Sequence, residues 1–212
     1  MTAAAITNGH DEPDLDSVAA PEALDDSVIA WRRRPLTLST PRPLFALMGA
    51  HGGAGTSTLA RLWAPAADSG QAWPADPTTT QRVLVVARAT MSGAKAAARV
   101  LRAASRGQTP PGVSVCGLII TPACSRRPAR EVSRYLATVG ELTARRYTID
   151  WYEPLLSVEL GQLPEWNPRL PDPGIKLAFP QIVPSAIATV GEQICEDLLA
   201  DHGPPHLRRP HA

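Results

Sequence analysis

At 212 residues and 44% apolar side chains, the chain is long enough for one domain with a sizeable core and short for two. Twenty-two prolines exceed what helices and central strands can hold, so much of the chain is expected as loop or tail. Its net charge of +1 hides a division: residues 1–30 carry seven carboxylates and no Lys or Arg, which leaves the rest at +8. Cys116, Cys124 and Cys195 form no CxxC pair, so neither a zinc site nor a disulfide framework is indicated, which suits a reducing cytoplasm. No apolar run approaches the ~18 residues of a membrane span, and no secretory leader is legible.

Residues 1–41 read as an acidic disordered tail, broken by Pro13, Pro21, Pro35 and Pro41 and ending in the basic run Trp31-Arg32-Arg33-Arg34. That run reads either as an anchor or as a plain charge run before a domain boundary. A domain is expected over 42–202. Leu44 to Met48 fits a buried parallel strand, apolar on both faces. The glycine-rich turn GAHGGAGTST follows over residues 49–58, then a short helix from Ser57 to Trp63. Residues 64–81, with Pro65, Pro74, Pro77 and a threonine run, read as loop.

Val83 to Ala87 is a second buried strand, and the Ala-rich stretch 91–107 is a helix stopped by Gly107. Val113 to Thr121 is a third strand, Pro128 to Val139 a second clear helix, and Tyr147 to Trp151 a fourth strand. Residues 163–184 are Pro-rich and irregular. A closing helix over Ser185 to Asp201 puts Ile187, Val190, Ile194 and Leu198 on one face. Residues 203–212 read as a flexible tail. Alternating strands and helices imply an α/β fold: a mainly parallel sheet with helices on both faces, a three-layer α/β/α arrangement.

The chemical signal is the turn HGGAGTST (residues 51–58), placed between a strand and a helix. Glycines let a backbone wrap an anion closely, and the unpaired N–H groups of a helix start point at it. The turn resembles the deviant Walker A motif of the MinD/ParA ATPases, KGGxGK[ST]. On that pattern Gly52, Gly53 and Gly55 match, and Ser57 takes the hydroxyl position that binds magnesium. His51 stands in place of the signature lysine, Thr56 in place of the P-loop lysine, and Ala50 in place of the first glycine. The resemblance extends over most of residues 43–162, with Thr121-Pro122 where the family has a base-reading Asn. The combination GAHGGAGTST, VLVVAR, GLIIT and DWYEP is similar to an uncharacterised actinobacterial group of MinD-related proteins, some found near plasmid or mobile-element genes.

The resemblance implies a P-loop nucleotide site, with ATP and Mg as ligands, built from His51, Gly52, Gly53, Ala54, Gly55, Thr56, Ser57, Thr58 and a cation. Arg88, expected at the end of the second strand, is the candidate to replace the lost lysine. The alternative is an ordinary solvated arginine. Thr56 and Thr58 could donate to an anion or cap the helix, and His51 could bind phosphate or be a polar loop residue.

Hydrolysis also needs a carboxylate beside the loop. The roughly 18 residues between the first helix and Val83 are too few for a crossover plus an extra strand, so the strand carrying that carboxylate is expected to be missing. Asp150 is then the best-placed acid, against the reading that it merely caps a strand end.

Arg126, Arg130 and Arg134 recur every four residues and are expected to share one helix face, as a non-specific DNA contact or a solvated face. His202 and His206 lack a third ligand for a metal. The leading expectation is a degenerate, pseudo-ATPase regulator acting through a protein partner. A working ATPase with relocated residues and a nucleotide-free scaffold are the alternatives.

Overall fold

The computed structural model describes residues 29–32, 43–170 and 177–201. The tails 1–28 and 203–212, and the His202 and His206 pair, lie outside the described residues. The fold is α/β. Its central sheet has five strands, all parallel: β2 (Phe45–Gly49), β3 (Ala66–Asp68), β5 (Arg82–Arg88), β6 (Ser114–Thr121) and β7 (Arg146–Thr148), in the order β3-β2-β5-β6-β7. A separate two-stranded pair joins β1 (Trp31–Arg32) to β4 (Trp73–Pro74), also in parallel. The helices are α1 (Thr56–Leu62), α2 (Met91–Ser105), α3 (Arg130–Gly140) and α4 (Ser185–Ala200).

The uninterrupted apolar runs form the interior strands because helices must cover both faces of a parallel sheet. All of β2 is buried, as is β5 from Val83 to Ala87. Alternate residues go to opposite cores. Ala46, Met48, Val83, Val85 and Leu118 pack with α2 and α3 on one face. Phe45, Leu47, Leu84, Val86 and Ile119 pack with α1 and α4 on the other. In α2, Ala94, Ala97 and Ala98 are buried, so this helix sits low on β5.

Residues 64–81 are not loop throughout. Ala66, Ala67 and Asp68 pair with Phe45, Ala46 and Leu47, which makes β3 the edge strand beside β2. The strand expected to be missing is therefore present, and it is only three residues long. The seven residues of α1 suffice as its crossover because the chain turns directly from the helix through Trp63 to Pro65. Among the described residues, no helix of the α2 and α3 layer comes from the β2–β3 side. There Trp73, wholly buried, enters the core that also takes Ile29, so the β1/β4 pair contributes to that layer. Trp31 and Arg32, placed in the tail by sequence, are thus attached to the body: the Trp73 N–H donates to the Ala30 carbonyl (2.9 Å) and the Ala75 N–H to that of Arg32 (2.9 Å).

Arg126 is also placed differently from its expectation. It lies in the exposed segment before α3, and only Arg130 and Arg134 stand one turn apart on the helix. Pro128 interrupts the backbone N–H donors just ahead of α3, and the helix starts two residues later.

Candidate functional site

From β2 the chain moves one way, through α1, to β3. From β5 it moves the other way, through α2 and α3, to β6 and β7. The direction of winding reverses between β2 and β5, and the crevice beyond the carboxyl ends of such a pair is where open parallel sheets hold ligands. The glycine-rich loop follows β2 and Arg88 ends β5, so the sheet brings these two sequence candidates to the same crevice.

The loop is tied down on three sides. On the β3 side, the Gly49 N–H donates to the Gly70 carbonyl (2.7 Å). On the β5 side, the Ala50 N–H donates to the Val86 carbonyl (2.8 Å). On the β6 side, the Thr121 hydroxyl, 7% exposed, donates to the Ala54 carbonyl (2.8 Å). Gly53 (φ 73°) and Gly55 (φ 98°) take left-handed backbone that a side chain would strain. These bonds use the carbonyls and the flanking amides. The N–H groups of Gly52, Gly53, Ala54 and Gly55 donate to no partner among the described residues, and α1 has no side-chain cap. The loop thus presents a run of open donors.

His51 is folded inward. Its Nδ1 faces the Gly52 carbonyl at 2.8 Å and its Nε2 accepts the Arg88 N–H at 3.1 Å. That pattern assigns the neutral tautomer with the proton on Nδ1. Both ring nitrogens are engaged in holding the loop against the end of β5, so His51 positions the loop in this structure. Next to it, Thr90 caps α2 by accepting the Gly93 N–H (3.0 Å), and Gly93 lets α2 approach the Arg88 carbonyl. The Arg88 side chain is exposed and without a hydrogen-bond or ion-pair partner among the described residues.

Sequence reading missed Asp68. It ends β3, half-buried, and its two oxygens are divided: Oδ2 accepts the Ser57 hydroxyl (2.5 Å), and Oδ1 accepts the Gly70 N–H (2.8 Å). The carboxylate expected to be absent beside the loop is therefore present. The apolar pair Ala66-Ala67 ahead of Asp68 is too short a signal, among the surrounding prolines, to mark a strand. Asp150 lies past β7, three strands from β2, or about 14 Å across the sheet. It is exposed and far from Ser57, and it is not brought together with the loop. Thr56 and Thr58 open α1. Arg126, Arg127 and Arg130, all exposed, follow the carboxyl end of β6 on the same sheet edge as the loop.

The polar cluster around α4 belongs to the opposite edge. The Tyr147 hydroxyl donates to Asp197 (2.7 Å), and Arg145 grips Asp201 with two bonds (2.7 and 2.9 Å). Burial and the Asp197 carboxylate push the Tyr147 phenol up, and the Asp201 carboxylate holds Arg145 charged. This cluster fastens α4 to β7 and is structural. Two cavities of about 690 and 760 Å³ also open at that amino-terminal edge, one lined by Thr80, Arg82 and Cys116, the other by Pro65, Asn167 and Cys195. Neither is lined by a residue of the glycine-rich loop.

Residues 44–157 match the profile of a family described as a family of unknown function, DUF6668, over just more than half of the chain. The chain belongs to DUF6668. The DUF6668 region starts at β2 and ends in the turn after β7, so it contains the glycine-rich loop, Asp68, Arg88, Thr121 and Asp150. It omits β1 and α4. No curated protein and no solved structure matches the chain. Among the described residues no helix is long and apolar enough to cross a membrane, and no three His, Cys, Asp or Glu side chains gather as a metal cage.

Proposed function

We propose that the chain is a phosphate- and nucleotide-binding P-loop protein of the MinD/ParA type, acting as a regulatory pseudo-ATPase through a protein partner. The observation that carries this reading is the open loop from Gly52 to Thr56, seated at the β2/β5 reversal with Ser57 and Asp68 hydrogen-bonded at its side. The loop amides and the start of α1 bind the phosphate oxygens of ATP. They contribute on the order of 2 kcal/mol, less than a lysine clamp would. Arg88 supplies the missing cation, from an exposed position that costs nothing in lost ion pairs.

The Ser57 hydroxyl and the Asp68 carboxylate are hard oxygen donors, and this pair fits magnesium, which keeps much of its shell for phosphate and water. When bound, the ion would neutralise charge between the phosphates. Ser57 and Asp68 would hold it, Thr121 would keep the loop shaped around Ala54, and His51 would keep it pressed on β5.

One observation favours the second reading, a working ATPase. With Asp68 in place, the site has a carboxylate beside the loop as well as a hydroxyl, although both lysines of the motif are replaced, by His51 and Thr56. Calorimetric titration of the full chain with ATP and GTP, with and without magnesium, tests both. Micromolar binding that needs magnesium and is weakened by Arg88→Ala supports nucleotide binding. Phosphate release that is lost in Asp68→Asn supports the ATPase. No binding up to millimolar nucleotide overturns both.

A further inference from the structure

The β1/β4 pair fixes where the first described residues stand relative to the exposed arginines of the body. This pair is parallel, with Trp31 opposite Trp73, so the chain enters it from the amino-terminal end of β4. That end is Ser69 to Ala72, the segment beside the glycine-rich loop. Gly70 accepts the Gly49 N–H, and the Gln71 side-chain amide lies 3.7 Å from where a Cβ on Gly52 would stand. The described chain therefore begins at Ile29 on the loop side. Asp25 and Asp26 are three or four residues away, within about 14 Å of Ile29 along an extended chain. Asp11 to Asp26 can span up to ~50 Å, several times the width of the β2, β5 and β6 ends.

The surface within that reach is basic. Arg88 ends β5, and Arg126, Arg127 and Arg130 follow β6. All four are exposed and have no carboxylate partner among the described residues. A tethered acidic segment meets such a surface at an effective concentration in the millimolar range, so a modest, salt-sensitive attraction is enough.

We infer that the acidic segment 11–26 is an intramolecular ligand of this basic edge, docking over Arg88 and the Arg126–Arg130 segment and competing there with polyanionic ligands. The β1/β4 pair is the fixed point that aims it. Docking stands on charge and the exit position alone, whereas competition with ATP rests on the nucleotide reading above.

Cys124, exposed inside the basic segment, is a native probe. In the full chain, the seven tail carboxylates are changed to their amides (Asp11→Asn, Glu12→Gln, Asp14→Asn, Asp16→Asn, Glu22→Gln, Asp25→Asn and Asp26→Asn), which leaves Ile29 to Arg32 intact. At low salt, iodoacetamide should alkylate Cys124 at least five-fold faster in this variant than in the unaltered chain, and the difference should vanish at 0.5 M salt. In an Arg126→Gln, Arg127→Gln, Arg130→Gln background, the tail substitutions should add nothing. Equal Cys124 rates at low salt overturn docking. ATP should bind the tail variant at least five-fold more tightly at low salt, and equal affinities overturn competition. Absence of ATP binding in both chains, with Cys124 still protected, removes the nucleotide reading and leaves docking standing.

Discussion

Gly93→Ala should destabilise the fold, although alanine is the better helix former. Gly93 lies in the first turn of α2, where an added Cβ would stand 2.2 Å from the Arg88 carbonyl oxygen, 3.0 Å from His51 Nε2 and 3.1 Å from Thr90 Oγ1. Ordinary contact begins at 3.4 Å, so the start of α2 must withdraw from the end of β5 by more than ~1 Å. The obstacle is backbone and cannot rotate away. Overpacking of this kind costs about 1–3 kcal/mol, and a weakened Thr90 cap about 1 kcal/mol more. The gain in helix propensity offsets about 1 kcal/mol. The net loss is about 2 kcal/mol, which corresponds to a fall in Tm of roughly 4–8 °C for a domain of this size. Urea unfolding followed by tryptophan fluorescence measures it. Gly161→Ala, where nothing lies within 4 Å of the new methyl group, should stay within about 0.5 kcal/mol of the unaltered chain. A Gly93→Ala protein as stable as the unaltered chain would refute the tight junction between α2, Arg88 and His51.

Thr121→Val keeps the shape of the side chain but leaves the Ala54 carbonyl without its donor, at a cost of about 1–3 kcal/mol. Amide exchange at Gly53 to Ser57 should quicken in this variant, and unchanged exchange would show that the loop holds its form without β6. Asp68→Asn should remove the magnesium dependence of ATP binding while Asp150→Asn leaves it intact; calorimetry of the two variants reads the difference, and the reverse order would return the metal to the β7 side. Alkylation at neutral pH should proceed in the order Cys124, Cys116, Cys195, read by mass spectrometry, since burial raises the Cys116 thiol and pushes Cys195 up to about 11. Cys195 keeps its proton longer in the folded chain than in the unfolded one, where its value is 9.0, so its contribution to stability is complete below pH 9 and is lost as pH rises toward 11. Urea midpoints should fall across that window by more in the unaltered chain than in Cys195→Ala, and equal falls would refute the assignment.

Much of the molecule follows from local pattern alone. The runs FALMG and VLVVA are apolar without interruption, which fits interior parallel strands, and the Ala-rich stretch after Thr90 carries its own cap and stop. The α/β class and the place of the glycine-rich loop between β2 and α1 were therefore legible in the sequence. β3 was not. Three residues among prolines carry too little periodicity to be read, and Ala66 to Asp68 form a strand because β2 offers a free edge to pair with. The docking of Trp31 and Arg32 on β4 was hidden for the same reason: a two-residue strand is defined by its partner and by the buried Trp73 beside it.

Arginine spacing misled for a related reason. A four-residue recurrence describes one helix face only where a helix exists, and Arg126 precedes α3. Sequence pattern singles out candidates for meeting an anion: the glycines, Ser57, Arg88 and the arginines after β6. Which carboxylate meets Ser57 is a matter of strand order. Asp68 ends one short strand and Asp150 follows another, and the choice between them depends on strand order, because β3 lies next to β2 and β7 lies three strands away. The tertiary structure likewise decided that His51 faces the end of β5, since its two hydrogen-bond partners, Gly52 and Arg88, are adjacent in one case and 37 residues apart in the other. Contacts over that separation come from packing, which sequence periodicity does not encode.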